Sequence, residues 1–222
     1  MINSIEKVFI IGATGAVGQA LVKVLNTLEA CKKIVVLVRE QHLNYKLFKK
    51  VEQFVLTDFL LLNENDLNGY SHVFSCLGTT LKKAGSRAAF YATDYGINVH
   101  VAKLVAAQAC QPQFLIVSSL GANPRSVFFY ASVKGQIEHA LMALNLDRLS
   151  IFRPSLLLIE RQETRFAERA VQKLYQRYQH LIPSSFLHKP VTPEQVAYTM
   201  VDAAQNQKEK CEMYANLIIQ KH

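Results

Sequence analysis

Lys7-Val8-Phe9-Ile10-Ile11-Gly12-Ala13-Thr14-Gly15-Ala16-Val17-Gly18 decides how this chain is read. An apolar, β-branched run leads into three glycines spaced three residues apart, and a helical pattern follows from Gln19 to Leu28. Strand, glycine turn and helix in that order build a phosphate site. The turn presents backbone amides and the helix N-terminus adds partial positive charge. Gly12 suits the tight turn, Gly15 the close approach of backbone to a pyrophosphate, and Gly18 the packing of helix on strand. The spacing is GxxGxxG, not the GxGxxG of many dehydrogenases. The plainer alternative is a glycine-rich βα turn with no ligand; the strand-turn-helix context favours the dinucleotide site.

The alternation continues along the chain. Apolar runs at Val8–Ile11, Ile34–Val38, Phe54–Leu56, Val73–Cys76, Phe114–Val117 and Leu149–Phe152, with a late one at Tyr214–Ile219, read as strands. Helical periodicity falls at Val17–Leu28, Tyr95–Ala109, Ala131–Leu144 and Glu194–Ala204. This pattern predicts an α/β fold: a Rossmann-type, doubly wound parallel sheet with helices on both faces. The 222 residues read as one domain, 1–222, with a small substrate-covering region at roughly 155–210. Within that region Glu160–His180 is charged and helical in pattern, and Pro183, Pro190 and Pro193 then break the chain into turns.

Composition narrows the function classes. The net charge is +8, but the lysines and arginines are scattered and not interleaved with aromatics, so a nucleic-acid role is not expected. No run is long and apolar enough for a membrane span, and no secretory signal pattern opens the chain. The four cysteines, Cys31, Cys76, Cys110 and Cys211, lack CxxC or Cys/His spacing; no metal is expected. They read as reduced, mostly buried thiols of a cytoplasmic protein.

Several residues carry candidate chemistry. The second strand ends at Arg39, where NAD-binding chains place a carboxylate on the ribose 2′-hydroxyl. A guanidinium there can bind a 2′-phosphate, so NADP(H) is favoured over NAD(H); a solvent-exposed Arg is the plainer alternative. Asp58 follows the third run and suits either an adenine contact or a simple turn. Leu77-Gly78-Thr79 ends the fourth run in a small turn that lets the backbone lie against the cofactor.

Tyr130 and Lys134, at i and i+4, share one helix face shortly after a strand ending Ser118-Ser119. An ammonium near a phenol favours the phenolate, so Tyr130 can exchange a proton with a substrate oxygen while a nicotinamide exchanges hydride. Lys134 can also reach the nicotinamide ribose. Ser119, in preference to Ser118, can hydrogen-bond the substrate oxygen. Arg153-Pro154-Ser155 closes the sixth strand, and the backbone from Ser155 to Leu157 is placed to face the nicotinamide amide.

With these motifs assembled, the chain resembles the short-chain dehydrogenase/reductase superfamily over its whole length. Within it, the chain is similar to the atypical branch typified by the Tat-interactive-protein oxidoreductase. The most specific matches are Cys76-Leu77-Gly78-Thr79-Thr80 with Lys83-Ala84-Gly85, Ser118-Ser119-x-Gly121-Ala122, Tyr130-x-x-Val133-Lys134-Gly135, and Arg153-Pro154 through Leu157 to Arg161-Gln162-Glu163-Thr164-Arg165. The resemblance implies NADP(H) bound by Gly12, by Thr14, Gly15, Ala16, Val17 and Gly18, by Arg39, and by Leu77 and Gly78. It also implies cofactor contacts from Tyr130, Lys134, Leu157 and Arg165. Two departures stand out: Ser155 replaces the usual glycine after Arg-Pro, and the proton-relay Asn has only Asn98 as a candidate. The preferred reading of Asn98 is a surface helix residue.

These features support an oxidoreductase acting on a small carbonyl or alcohol. The alternatives are a catalytically weak NADP(H)-binding regulatory or assembly protein, and a sugar-nucleotide epimerase or dehydratase, for which the chain is short. Homo-oligomers or a protein partner stay open.

Overall fold

The computed structural model describes residues 4–158 and 187–222. Seven strands form one sheet: β1 (Lys7–Ile11), β2 (Lys33–Val38), β3 (Val51–Val55), β4 (His72–Ser75), β5 (Gln113–Val117), β6 (Leu149–Arg153) and β7 (Cys211–Ala215). Their order is β3-β2-β1-β4-β5-β6-β7 and every pairing is parallel. The fold is therefore the Rossmann-type α/β fold that the alternation predicts.

Strand alternation explains the two covered faces. Val8 and Ile10 of β1, with Ile34, Val36 and Val38 of β2, point to one side. That side is covered by α1 (Ala16–Thr27) and by the helix Pro193–Asn206. Phe9, Ile11, Val35 and Leu37 point to the other, where they meet α4 (Asn98–Ala106) and α5 (Phe129–Ala143). Successive side chains leave opposite faces of a strand, so a sheet covered on both faces needs near-continuous apolar strands. Two short helices precede α4: α2 (Leu81–Ala84) and α3 (Arg87–Tyr91). We number Pro193–Asn206 as α6 and a final turn, Asn216–Ile219, as α7.

Two elements differ from the sequence expectation. The third strand begins at Val51 and not at Phe54; as the sheet edge, it mixes half-buried and exposed positions with polar residues at Glu52 and Gln53, which blurs its hydrophobic signal. The late run Tyr214–Ile219 splits, because β7 ends at Ala215 and Asn216–Ile219 is helical. The cysteines are also less buried than expected: Cys31 is buried and Cys76 half-buried, but Cys110 and Cys211 are exposed. Among the described residues no helix is long and apolar enough to cross a membrane.

The amino ends of the central strands enclose a polar cluster. His72 is fully buried, stacks on Phe74 and directs Nε2 to the Ala204 carbonyl at 3.1 Å. Burial lowers its pKa to about 4; the Ala204 carbonyl opposes the shift and Arg148 adds to it. The folded chain thus holds His72 neutral, whereas the unfolded chain protonates it near the ordinary value of 6.5. Between those values the unfolded state binds more protons, so stability present above pH 6.5 is lost as the pH falls toward 4. The expected loss is about 3 kcal/mol by pH 4. Urea unfolding of wild type and His72→Gln from pH 7 downward checks it: the difference between the two should shrink on acidification. A pH-independent difference would show that His72 titrates normally in the fold.

Candidate active site at the switch point

The chain runs outward from β1 to β3, then returns to lay β4 on the other side of β1. The loops after β1 and β4 therefore leave the sheet side by side and diverge, opening a crevice at their carboxyl ends. The Cys76 amide donates to the Ile11 carbonyl at 2.9 Å, which fixes the two loops at their base.

Glycine is required at both ends of the first loop. Gly12 has φ +75°, and a Cβ there would lie 2.4 Å from the Leu77 nitrogen. At Gly18 a Cβ would lie 2.3 Å from the Gly12 carbonyl oxygen. Gly15 is less crowded, with its nearest contact at 3.3 Å; it is the N-cap of α1, and its amide donates to the Gly12 carbonyl at 3.1 Å. No side chain caps α1, and its first turn holds no acidic residue. Ala16, Val17 and Gly18 occupy that first turn, and Thr14 is exposed beside it. A bare helix N-terminus against a turn that admits no side chain fits a dinucleotide pyrophosphate.

Around the crevice, Arg39 is exposed and its guanidinium lies 5.5 Å from the centre of the Phe59 ring. It makes no ion pair with a described residue. Asp58 caps a short 3-10 turn, one carboxylate oxygen accepting from the Leu60 amide at 3.0 Å, so its turn role is realised. Leu77 is half-buried and Gly78 exposed. The Thr79 amide donates to Asp94 Oδ2 at 2.8 Å.

Tyr130 and Lys134 stand one turn apart on α5, as their spacing requires. Tyr130 is 46% exposed at the mouth, its ring edge-on to Phe90. Lys134 is buried beneath, with Nζ 5.9 Å from the centre of the Tyr130 ring. The spacing does not reveal the partner of Lys134: its Nζ lies 2.9 Å from Oδ1 of Asp94, which is fully buried. Asp94 comes from a π-helical turn, Ala92–Ile97, between α3 and α4. The widened turn carries Asp94 inward, and its register lies outside ordinary helical periodicity, so no sequence pattern marks it.

The structure also separates the two serines. Ser118 is buried and donates to Glu138, which is held in turn by two hydrogen bonds from Arg153. Ser119 is half-buried and, among the described residues, donates to the Leu120 carbonyl at 3.2 Å. Arg153 therefore serves strand-end structure. Asn98 is not the surface residue preferred from sequence: it is fully buried, accepts from Ser75, and donates to the Asp94 carbonyl at 2.6 Å.

Ser155, where glycine is usual, has a structural use. Its amide donates to Asn216 Oδ1 at 2.8 Å and its hydroxyl to the Lys189 carbonyl at 2.6 Å. Asn216 also donates to the Leu187 and Lys189 carbonyls. Leu157 pairs with Val191 in an isolated parallel bridge. These contacts join the chain leaving β6 to the chain that re-enters α6. Arg165, and the charged segment Glu160–His180, lie outside the described residues.

A family model, semialdehyde dehydrogenase, NAD binding domain, matches residues 7–99, the part that contains the glycine turn. Over nearly the whole chain, the match is to Protein FMP52-1, mitochondrial, of Scheffersomyces stipitis: 36% identity over 203 residues, 91% of this chain and 89% of that one. Protein HTATIP2 of Rattus norvegicus is 36% identical over 173 residues, 77% of this chain and 70% of its own. The chain belongs to the atypical short-chain dehydrogenase/reductases.

Solved structures agree on the fold. UDP-glucuronic acid 4-epimerase from Bacillus cereus, in complex with NAD, matches with a TM-score of 0.70 at 13% identity, covering 94% of this chain and 78% of that one. A short-chain dehydrogenase/reductase family oxidoreductase from Burkholderia thailandensis matches with a TM-score of 0.65 at 17% identity, covering 94% and 90%. The cytoplasmic placement drawn from the cysteines does not stand, because the FMP52 relatives are mitochondrial by name. Free thiols by themselves do not identify a compartment.

Proposed function

We propose that this protein is an NADP(H)-dependent oxidoreductase that reduces a small carbonyl or oxidises the corresponding alcohol. One observation carries the reading. A Cβ on Gly78, in the loop after β4, would sit 3.5 Å from Lys134 Nζ. The Tyr-Lys pair of α5 thus abuts the loop that faces the cofactor crevice, as hydride transfer at a carbonyl carbon and proton transfer at its oxygen require.

When bound, the nicotinamide supplies or accepts the hydride. Tyr130 Oη gives a proton to the substrate oxygen in reduction and takes it back in oxidation. Ser119 Oγ exchanges its long contact with the Leu120 carbonyl, 3.2 Å away, for one to that oxygen and holds it beside the phenol, whereas Ser118 Oγ is engaged by Glu138. Lys134 lies beneath and would hold the nicotinamide ribose hydroxyls. Exposed Val127 and Phe128, on the loop entering α5, offer apolar surface to the substrate. The names of the FMP52 relatives support a mitochondrial location.

The preference for NADP(H) rests on Arg39, a cation with no competing ion pair among the described residues. Calorimetric titration with NADPH and NADH tests it. Arg39→Ala is expected to weaken NADPH binding by about 10–100-fold, the range of one charge-assisted contact, and to leave NADH binding unchanged. Equal losses for both nucleotides would remove the 2′-phosphate role. Failure of wild type to bind either would overturn the dinucleotide reading.

A further inference from the structure

We propose that Asp94 is a positioning residue that links the cofactor-facing loop to Lys134 and holds the ammonium for the nicotinamide ribose. This rests on the NADP(H) reading above.

The two oxygens of Asp94 face two different parts of the site. Oδ2 accepts the Thr79 amide at 2.8 Å, gripping the end of the Leu77-Gly78-Thr79 turn. Oδ1 lies 2.9 Å from Lys134 Nζ but makes no aligned hydrogen bond with a described residue, so that contact is ionic. Both side chains are nearly inaccessible, at 5% exposure for Lys134 and 0% for Asp94. A buried ammonium needs a counter-charge, and this pair supplies it within the fold. The Asp94 backbone is itself braced: Asn98 Nδ2 donates to the Asp94 backbone carbonyl at 2.6 Å and lies 3.5 Å from the Leu77 carbonyl. One buried side chain therefore sets the distance between the β4 loop and α5, the two elements that must close on the same end of the cofactor. Asp94 is shielded from ligand, so it acts through Lys134 and not by contact.

The test compares two ligands. NADPH carries the nicotinamide ribose; adenosine 2′,5′-bisphosphate carries only the adenosine half. Asp94→Asn keeps the size of the side chain and an acceptor for Thr79 but removes the charge that orients Lys134. It should weaken NADPH binding by about tenfold, within the range seen for coupled neighbours, and leave the bisphosphate unchanged. Lys134→Gln should show the same selectivity. The double variant leaves no buried charge unpaired and guards against misfolding; it should bind NADPH no more weakly than Lys134→Gln alone. Equal weakening of both ligands by Asp94→Asn, unchanged NADPH binding, or additive losses in the double variant would overturn the proposal. Failure of wild type to bind either ligand would instead remove the cofactor reading beneath it.

Discussion

Tyr130→Phe is expected to lower kcat by about 10²–10⁴-fold, the range for loss of a positioned proton donor, while NADPH affinity stays nearly unchanged. The substitution removes one oxygen and keeps the ring, so the edge-on contact with Phe90 survives. Tyr130 is 46% exposed and its hydroxyl bonds no described residue, so no buried partner is orphaned. Folding and binding should therefore be preserved and the chemical step lost, which single-turnover measurements on any carbonyl substrate found by screening would show. Retained turnover would mean that another group moves the proton. Nucleotide binding in the wild type without turnover on any carbonyl or alcohol would favour the regulatory reading of this site.

Gly12→Ala carries the other large effect. The new Cβ would lie 2.4 Å from the Leu77 nitrogen and 2.5 Å from the Cys76 carbonyl carbon, both backbone atoms that cannot rotate away. The φ of +75° adds left-handed strain. Strain of that kind costs about 1–2 kcal/mol, and overpacking a further 1–3 kcal/mol. Gly69 supplies the control, since its φ is +73° and a methyl group there would meet nothing within 4 Å. Gly69→Ala should therefore lose only the strain. Each kcal/mol shifts the melting temperature by about 2–4 °C in a chain of this size. Gly12→Ala should also abolish NADPH binding, because the β1 and β4 loops must part to admit the methyl group. Equal melting shifts for the two variants, with binding intact, would show that the loops yield easily.

The glycine turn, the strand-helix alternation and the Tyr130/Lys134 spacing are legible because each is a local rule. A turn without Cβ, a period of two or 3.6, and an i,i+4 pair are written in neighbouring residues. Those rules determine the α/β fold and place Gly12, Tyr130 and Lys134 at the correct ends of their elements. They cannot see contacts that cross the sheet. Asp94 precedes Lys134 by forty positions and enters the site through a π-turn, which no regular period announces. Asn98 reads as a surface residue because burial of a polar side chain depends on partners, here Ser75 and the Asp94 carbonyl, that only folding supplies. The difference between Ser118 and Ser119 has the same origin: adjacent in the chain, they meet different partners, and only the packing of α5 gives Glu138 to the first, while the second meets the neighbouring Leu120 carbonyl. Sequence alone determined the scaffold and its candidate proton donor; the tertiary structure decided which charges and hydroxyls are already satisfied, because that depends on burial and on partners distant in the chain.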